Sequence, residues 1–238
     1  RDDAPGRAKL ERIGQMNFNT YPDAEMMAMD VASVLADDLA EALHNKDRVV
    51  LAVPGGTTPG PIFDALSAAD LDWDRVDVIL TDERWVPEDH ERSNSALVKS
   101  RLLTNRAVAA RYLPLYAPAE APEAVLAELE TTILGALPVD VALLGMGADM
   151  HTASLFPKAD GLKAALASDA PVLVPIRRED LPDVRITLSA RVLDAAVRKH
   201  ILIKGADKRE ALQAAQKLPK EEAPIKSIST GAEVHWTE

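Results

Sequence analysis

The 238-residue sequence contains no cysteine, only 4% aromatic residues and no long apolar run. The absence of cysteine excludes disulfide bonds, thiolate nucleophiles and cysteine-ligated zinc. The apolar runs reach about six to eight residues, well short of the roughly 18 that a membrane-spanning helix needs. With 47% hydrophobic and 27% charged residues, the composition is that of a globular chain stabilised by a buried core.

Positive charge is also in short supply. The chain has 27 Lys and Arg residues against 38 Asp and Glu residues, a formal net charge of −11. An acidic protein repels phosphate polymers and anionic lipid, so we expect neither a nucleic-acid nor a membrane partner. Because nothing requires an oxidising compartment, we expect a cytoplasmic protein. Both a monomer and a small homo-oligomer are compatible with the sequence.

The chain shows no internal repeat, no low-complexity tract and no Gly/Ser linker. Its length therefore predicts one domain. We interpret residues 1–15, which are polar and do not start with methionine, as a poorly ordered leader. Residues 16–238 are then a single α/β domain.

Short apolar runs alternate with helical patterns along this domain. Apolar residues recur every four positions from Met27 to Leu43, which predicts an amphipathic helix. Further helices are predicted at 95–103, 121–137 and 207–218. Strands are predicted at 48–53, 76–80, 139–144, 172–174, 185–188 and 200–203. This alternation predicts an α/β fold with a mostly parallel, Rossmann-like sheet flanked by helices.

A glycine-rich loop follows the first predicted strand. In parallel sheets ligands bind beyond the carboxyl ends of the strands, which directs attention to the sequence PGGTTPG at 54–60. The amides of Gly55 and Gly56 can approach a ligand closely, and Thr57 offers a hydroxyl and a helix N-cap beside an anion-favouring helix start. A strand-to-helix turn that binds nothing is the alternative. No G-K-[ST] follows, so this is not a Walker loop.

Three charged residues directly follow the strand at 76–80. Asp82, Glu83 and Arg84 place carboxylates and a guanidinium over the expected cleft. A salt-bridged surface loop explains the same pattern without a ligand.

The strand at 139–144 continues into GMGADMH. This begins like a dinucleotide-binding G-x-G-x-x-G motif, but Met150 occupies the third glycine position and no acidic residue ends a strand about 20 residues on, which disfavours a nicotinamide cofactor. The loop brings Asp149 and His151 together. Since an imidazole titrates near pH 6.5, His151 can accept a proton at neutral pH, while Asp149 fixes its tautomer or binds substrate. The alternative is a solvated surface histidine.

Two cationic side chains occupy positions where a positive charge is unfavourable. Lys208 falls in the first turn of the last predicted helix, where the helix dipole disfavours positive charge. Arg185 heads a strand that is predicted to be buried. An anionic ligand explains both residues. Solvation of Lys208 and an internal ion pair of Arg185 are the alternatives.

Taken together, these segments resemble the 6-phosphogluconolactonase family, within the glucosamine-6-phosphate isomerase and deaminase superfamily. The family usually has Asp-Gly-His where this chain has Asp149, Met150 and His151, and Lys158 stands where glycine is common. Met150 is therefore expected to need a backbone conformation other than that of the glycine. The matching stretches, in the family's order, are VPGGTTP at 53–59, TDERWVP at 81–87, SNS at 93–95, LLGMGADMHTASLFP at 143–157, VRITLS at 184–189 and IKGADKREAL at 203–212.

The resemblance implies a glucosamine-6-phosphate deaminase/ribose-5-phosphate isomerase-like fold. It also implies hydrolysis of 6-phospho-D-glucono-1,5-lactone to 6-phospho-D-gluconate in the oxidative pentose phosphate pathway. His151 would be the general base that activates water, and Asp149 would orient it or hold sugar hydroxyls. No cofactor and no metal are expected.

The resemblance also suggests how the substrate is held. Arg185 and Lys208, assisted by Thr57, would bind the phosphate. The oxyanion would be stabilised by the backbone amides of Gly55 and Gly56 and by the guanidinium of Arg84. The carboxylate of Asp82 would bind sugar hydroxyls.

Two other functions remain as alternatives. Amino-sugar phosphate deaminases of this superfamily carry a glutamate five residues after the histidine, where this chain has Phe156, which cannot transfer protons. A non-catalytic sugar-phosphate sensor on the same fold is the second alternative, because a fold does not determine its chemistry.

Overall fold

The computed structural model describes residues 9–238. In this part of the chain, strands and helices alternate, as the sequence predicts. The strands are β1 (Lys9–Ile13), β2 (Met16–Thr20), β3 (Val49–Val53), β4 (Val76–Leu80), β5 (Asp82–Arg84), β6 (Arg111–Leu113), β7 (Val141–Gly145), β8 (Leu173–Ile176), β9 (Arg185–Leu188), β10 (Arg198–Lys204) and β11 (Glu233–Thr237). The α-helices are α1 (Ala24–Asn45), α2 (Gly60–Ser67), α3 (Asn94–Arg101), α4 (Leu126–Ala136), α5 (Leu162–Leu166), α6 (Ala190–Asp194) and α7 (Ala206–Ala215).

Eight strands form the main sheet, in the order β1-β2-β11-β10-β7-β3-β4-β6. Every neighbouring pair is parallel except β1 and β2. All five residues of β3 and all five of β4 are buried, as expected for parallel strands covered on both faces. The mostly parallel sheet predicted from the apolar runs is thereby confirmed.

Three further strands, β5, β9 and β8, form a separate antiparallel sheet. The strands predicted at 172–174 and 185–188 therefore do not join the parallel sheet, and the DER segment is a strand rather than a loop. The reason lies in the main chain. Because β5 follows β4 with no turn between them, its backbone groups run past the main sheet and need new hydrogen-bond partners, which β9 supplies.

The amino-terminal boundary also differs from the prediction. Residues 1–15 were expected to be a leader outside the domain, but β1 pairs with β2 along its whole length. An ion pair of 3.1 Å between Arg209 and Glu11 ties β1 to α7. The folded part therefore includes residues before 16. Residues 1–8 lie outside the described part of the chain.

Helix α1 follows the predicted amphipathic pattern. Its N-cap residue Asp23 accepts a hydrogen bond of 2.8 Å from the amide of Met26, as capping requires. The residues spaced four apart form its buried face. These buried residues include Met27, Val31, Leu35, Leu39 and Leu43.

A chain of hydrogen-bonded side chains, with Tyr21, His200 and His235 buried at its centre, connects α1 to the sheet. Asp38 of α1 lies 2.6 Å from Nε2 of His200, whose Nδ1 lies 2.9 Å from Nε2 of His235. Nδ1 of His235 lies 2.9 Å from the hydroxyl of Tyr21, which donates a 2.6 Å hydrogen bond to Asp30. We call these five residues the buried histidine network. Each polar group in it has a partner, which makes burial tolerable.

No helix in the described residues has both the length and the apolar content to cross a membrane.

Candidate active site

A cleft of about 260 Å³ lies at the carboxyl ends of β3 and β7, against the edge of the small sheet. It is lined by residues from all six of the segments that the sequence singled out. The predicted site residues in its lining are Gly55, Gly56, Asp82, Arg84, His151, Arg185 and Lys208. The topology thus brings together residues that are far apart in the sequence.

The glycine loop after β3 forms one wall of the cleft. A Cβ atom at Gly55 would lie 2.0 Å from Oδ1 of Asn94, so no side chain fits there. Gly56 has a φ of +85°, a conformation that L-residues rarely adopt. The amide of Asn94 holds this contact in place, because Nδ2 donates a 3.1 Å hydrogen bond to the carbonyl of Asp82. Asn94 was not among the predicted site residues, although it lies in the SNS motif.

Thr57 does not join the cleft. It is exposed, and its carbonyl accepts a 3.3 Å hydrogen bond from the amide of Gly60. The N-cap of α2 is Pro59, and no side chain caps the helix. The predicted N-cap role of Thr57 is therefore wrong: the helix starts after the threonine pair, with Gly60 and Pro61 at its first positions.

His151 and Asp149 form a hydrogen-bonded pair on the loop after β7. Nδ1 of His151 bonds to Oδ1 of Asp149, and the amide of His151 donates to the same oxygen at 3.1 Å. Asp149 does not line the cleft and contacts His151 from the side of Nδ1. A Cβ atom at Gly147 would lie 2.2 Å from that Nδ1, so glycine is needed there for the imidazole to pack against the loop.

The electrostatics of Asp149 favour its ionised form. Partial burial acts to raise its pKa, but the hydrogen bonds and charge of His151, together with the charge of Arg178, outweigh burial and hold the pKa below its usual value. A carboxylate that stays ionised keeps Nδ1 of the imidazole as a donor, which leaves Nε2 for chemistry.

Met150 adopts the left-handed conformation that a glycine would adopt, with a φ of +68°. The expectation that it needs a different conformation was wrong. Its amide donates a 2.9 Å hydrogen bond to the carbonyl of Gly147, and its own carbonyl accepts one of 3.0 Å from the amide of Ile225. These two bonds fix the turn at a steric cost of about 1–2 kcal/mol. Lys158, the other departure from the family pattern, likewise has a positive φ, +62°.

Two arginines face each other at the edge of the small sheet. Arg84 of β5 and Arg185 of β9 are register partners, and like charges directly opposite each other are unfavourable. The Nε atom of each is buried and has no hydrogen-bond partner in the described part of the chain. Such unpaired buried donors require an explanation, and a bound anion is the simplest one.

Arg185 has little internal compensation for its burial. Its side chain is 12% exposed, and its contact with Asp82 is long, at 3.9 Å. Burial, assisted by the charge of Arg84, lowers the pKa of the Arg185 guanidinium against the opposing effect of Asp82. The internal ion pair considered from the sequence is therefore weak.

Asp82 accepts hydrogen bonds from two hydroxyl groups of the protein. One of its oxygens accepts a 2.6 Å hydrogen bond from Ser154, and the other accepts one of 3.0 Å from Thr81. Its position in the cleft lining also leaves it in reach of a ligand.

Glu83, the middle residue of the DER motif, has a structural role. It is 1% exposed and accepts hydrogen bonds from the amides of Arg84, Asn94 and Ser95, each at 2.8 or 2.9 Å. Burial raises its pKa although these hydrogen bonds oppose the shift. By binding the first amides of α3, Glu83 fixes Asn94 against the glycine loop.

Lys208 lies in the first turn of α7, as predicted. Its Nζ donates a 2.6 Å hydrogen bond to the carbonyl of Met146 in the cleft lining. The neighbouring Arg209 lies elsewhere: its guanidinium packs over the rings of Phe18 and Trp236 at 4.8 and 4.7 Å. Only the first of these two cations therefore faces the cleft.

The geometry defines a class of protein. An α/β domain whose cleft combines the histidine of a His–Asp pair, a glycine-rich backbone wall and three cations is suited to acid–base chemistry on a small anionic molecule. The comparison with known proteins identifies the family within this class. Residues 22–236 match the family model described as glucosamine-6-phosphate isomerases/6-phosphogluconolactonase, and the chain belongs to that family.

Relatives from two bacteria are similar to this chain over nearly their whole length. The chain is 42% identical over 229 residues to a 6-phosphogluconolactonase of Mesorhizobium japonicum, covering 92% of this chain and 94% of that protein. It is 38% identical to a 6-phosphogluconolactonase of Pseudomonas aeruginosa, covering 96% and 98%. Both similarities extend over all the motifs discussed above.

Solved structures show the same fold. A 6-phosphogluconolactonase from Shewanella baltica superimposes with a TM-score of 0.90 at 31% identity, covering 96% of this chain and all of that one. A monomeric glucosamine-6-phosphate deaminase gives a TM-score of 0.76 at 18% identity, which shows a shared fold only. The predicted fold relationship is confirmed.

Proposed function

We propose that this protein hydrolyses 6-phospho-D-glucono-1,5-lactone to 6-phospho-D-gluconate, with His151 as the general base. The observation that carries the proposal is the pair of facing arginines, Arg84 and Arg185, with unpartnered Nε atoms in the same cleft as His151. Relatives named 6-phosphogluconolactonase at 38–42% identity support lactone hydrolysis in the oxidative pentose phosphate pathway.

The proposed reaction begins at the free nitrogen of His151. Because Asp149 bonds to Nδ1, Nε2 takes a proton from water as the water oxygen attacks the lactone carbonyl carbon. The tetrahedral intermediate then collapses with cleavage of the bond between this carbon and the ring oxygen. The imidazolium returns its proton to the departing ring oxygen, which becomes a hydroxyl group. General base catalysis of this kind contributes about 10²–10⁴-fold.

The glycine loop is placed to stabilise the oxyanion. The Gly55 and Gly56 wall allows close approach, since Gly55 has no room for a side chain and Gly56 has a positive φ. One well-placed amide donor contributes about 3 kcal/mol to such a transition state. Arg84 supplies a positive charge in the same lining.

The phosphate is assigned to Arg185 and Lys208. A guanidinium binds phosphate through two parallel hydrogen bonds, whereas an ammonium acts as a point charge. The weak internal pairing of Arg185 leaves it available for this role. Asp82 would hold sugar hydroxyls. We further propose that the protein works in the cytoplasm, as a monomer or small homo-oligomer, without nucleic-acid or membrane partners.

The test is turnover of freshly prepared lactone. The rate of 6-phosphogluconate formation should rise above spontaneous hydrolysis in proportion to enzyme. Ammonia released from glucosamine 6-phosphate would instead indicate the deaminase. Binding of 6-phosphogluconate without any turnover would indicate a sensor.

The phosphate assignment has its own test. Arg185→Ala should raise KM for the phosphorylated lactone by about 10- to 100-fold, the loss expected for a hydrogen bond to a charged group. Its effect on unphosphorylated gluconolactone should be small. Arg177→Ala is the control, because Arg177 pairs with Glu123 away from the cleft. Equal losses on both lactones would contradict the assignment.

A further inference from the structure

The loop that carries His151 contains several residues in an unfavourable backbone conformation. Met150, Ala153 and Lys158 have φ angles of +68°, +50° and +62°. Non-glycine residues hold this conformation only where surrounding contacts enforce it. The position of His151 therefore depends on contacts made to the loop by the rest of the molecule.

Arg178, between β8 and β9, supplies several of these contacts. Its Nη1 donates a 2.9 Å hydrogen bond to the carbonyl of Pro157 and lies 3.8 Å from Oδ2 of Asp149. Its guanidinium carbon lies 5.0 Å from the ring centroid of Phe156. A bidentate pair with Asp180, at 2.6 and 3.0 Å, fixes the guanidinium itself.

Two of these contacts lead directly to the imidazole. Asp149 accepts hydrogen bonds from both the ring and the amide of His151. The ring of Phe156 packs on the ring of His151, with centroids 4.3 Å apart. Arg178 thus touches both groups that hold His151. It does not line the cleft, so it is not placed to contact the substrate.

We propose that Arg178 is a positioning residue for His151: it braces Asp149 and Phe156 together and adds a positive charge beside the His–Asp pair. The inference rests on the proposed function, since it concerns the base of that reaction. A planar, five-donor guanidinium suits this role, because one group satisfies a carbonyl, a carboxylate and an aromatic face at once.

The experiment compares Arg178→Gln with Arg177→Gln. The control residue is adjacent and also forms a bidentate pair, with Glu123 at 2.5 and 3.0 Å. Arg178→Gln should lower kcat by about 10- to 100-fold, the effect of a small misplacement of a catalytic group. KM should change by less than about twofold, because no substrate contact is lost. The control should leave both constants unchanged.

The pH–rate profile separates positioning from a merely structural role. Loss of the positive charge should move the acid limb of the kcat profile of Arg178→Gln to higher pH, because the charge of Arg178 helps to hold the pKa of Asp149 low. Arg178→Lys, which keeps the charge, should restore the limb and recover part of kcat.

Each failure has a separate reading. A wild-type protein that does not hydrolyse the lactone overturns the proposed function and this inference with it. An active wild type with kcat and pH profile unchanged in Arg178→Gln overturns the inference alone. If Arg178→Gln does not fold, Asp180→Asn replaces it. This exposed substitution should lower kcat in the same direction, and an unchanged kcat would again contradict the inference.

Discussion

Histidine and carboxylate side chains meet in two regions of this molecule, under opposite conditions. Beside the cleft, the side chains of His151 and Asp149 are 29% and 40% exposed and lie on a loop with left-handed residues. In the buried histidine network, His200 and His235 are each 2% exposed and sit on regular strands. Within residues 9–238, Nε2 of His151 has no hydrogen-bond partner, whereas both nitrogens of each buried ring have one.

The difference distinguishes a structural histidine from one that is available for catalysis, although each lies beside a carboxylate. A ring whose two nitrogens are both engaged holds the fold together but offers no site for proton exchange with a ligand. A ring with one engaged nitrogen on a supported loop is available for chemistry. Substitutions in the two regions should therefore separate activity from stability.

The largest expected effect is on activity. His151→Ala should lower kcat by about 10²–10⁴-fold, since the general base is lost, and should leave the free energy of unfolding nearly unchanged. Lactone turnover and urea unfolding measure the two quantities. His44→Ala, at an exposed position on α1, is the control. Nearly wild-type turnover in His151→Ala would show that the base is another group.

The opposite pattern is expected in the buried network. His200→Ala removes the partner of both Asp38 and His235, and should lower the free energy of unfolding by about 2–4 kcal/mol, as buried polar groups lose their hydrogen bonds. Turnover by the folded fraction should stay at the wild-type level. A loss of kcat without a loss of stability would show that His200 contributes to catalysis and not to the stability of the fold.

The buried network should also make stability depend on pH. Burial, together with the charge of His200, lowers the pKa of His235 to about 3. Below about pH 6.5 the unfolded chain binds a proton at His235 that the folded chain does not bind. The free energy of unfolding should therefore decrease as the pH is lowered, by up to about 1.4 kcal/mol per pH unit, until about pH 3. Urea unfolding at a series of acidic pH values measures the slope. His235→Gln should make it shallower, and an unchanged slope would exclude His235 as its source.

The smallest expected effect concerns the strain in the loop of His151. Met150→Gly should raise the free energy of unfolding by about 0.5–1 kcal/mol, because glycine adopts a positive φ without steric cost but gains entropy in the unfolded chain. Thermal unfolding is sensitive enough to detect it. Ala148→Gly, at a neighbouring position without a positive φ, should be destabilising instead. Destabilisation by Met150→Gly would mean that side-chain packing outweighs the strain.

The central strands could be predicted because their residues are apolar on both faces. β3 and β4 are fully buried and read as continuous apolar runs. β11, with sequence EVHWT, lies almost as deep, yet its histidine is buried through hydrogen bonds and not through hydrophobicity. Composition does not reveal such a strand. The DER strand escaped prediction for the same reason, since Glu83 is buried by binding backbone amides.

The candidate site could be assembled from the sequence because each motif directly follows a strand, and parallel strands end at one edge of the sheet. That rule and the family resemblance together placed Gly55, Asp82 and His151 around one cleft. Arg178 could not be found in this way. It lies in an ordinary charged segment, and its importance depends on contacts with a loop 20 to 30 residues earlier in the sequence.

The buried histidine network is a chain of hydrogen bonds in which the order of donors and acceptors is fixed. Its four hydrogen bonds need four protons, whereas Tyr21 and two neutral imidazoles bring three. Tyr21 donates to Asp30, so a neutral His235 must donate to Tyr21 and accept from His200. The fourth proton then lies between His200 and Asp38. Since both aspartates belong to α1, the network leaves the helix and returns to it about 12 Å away, and sliding α1 along the sheet by one residue would break it at both ends.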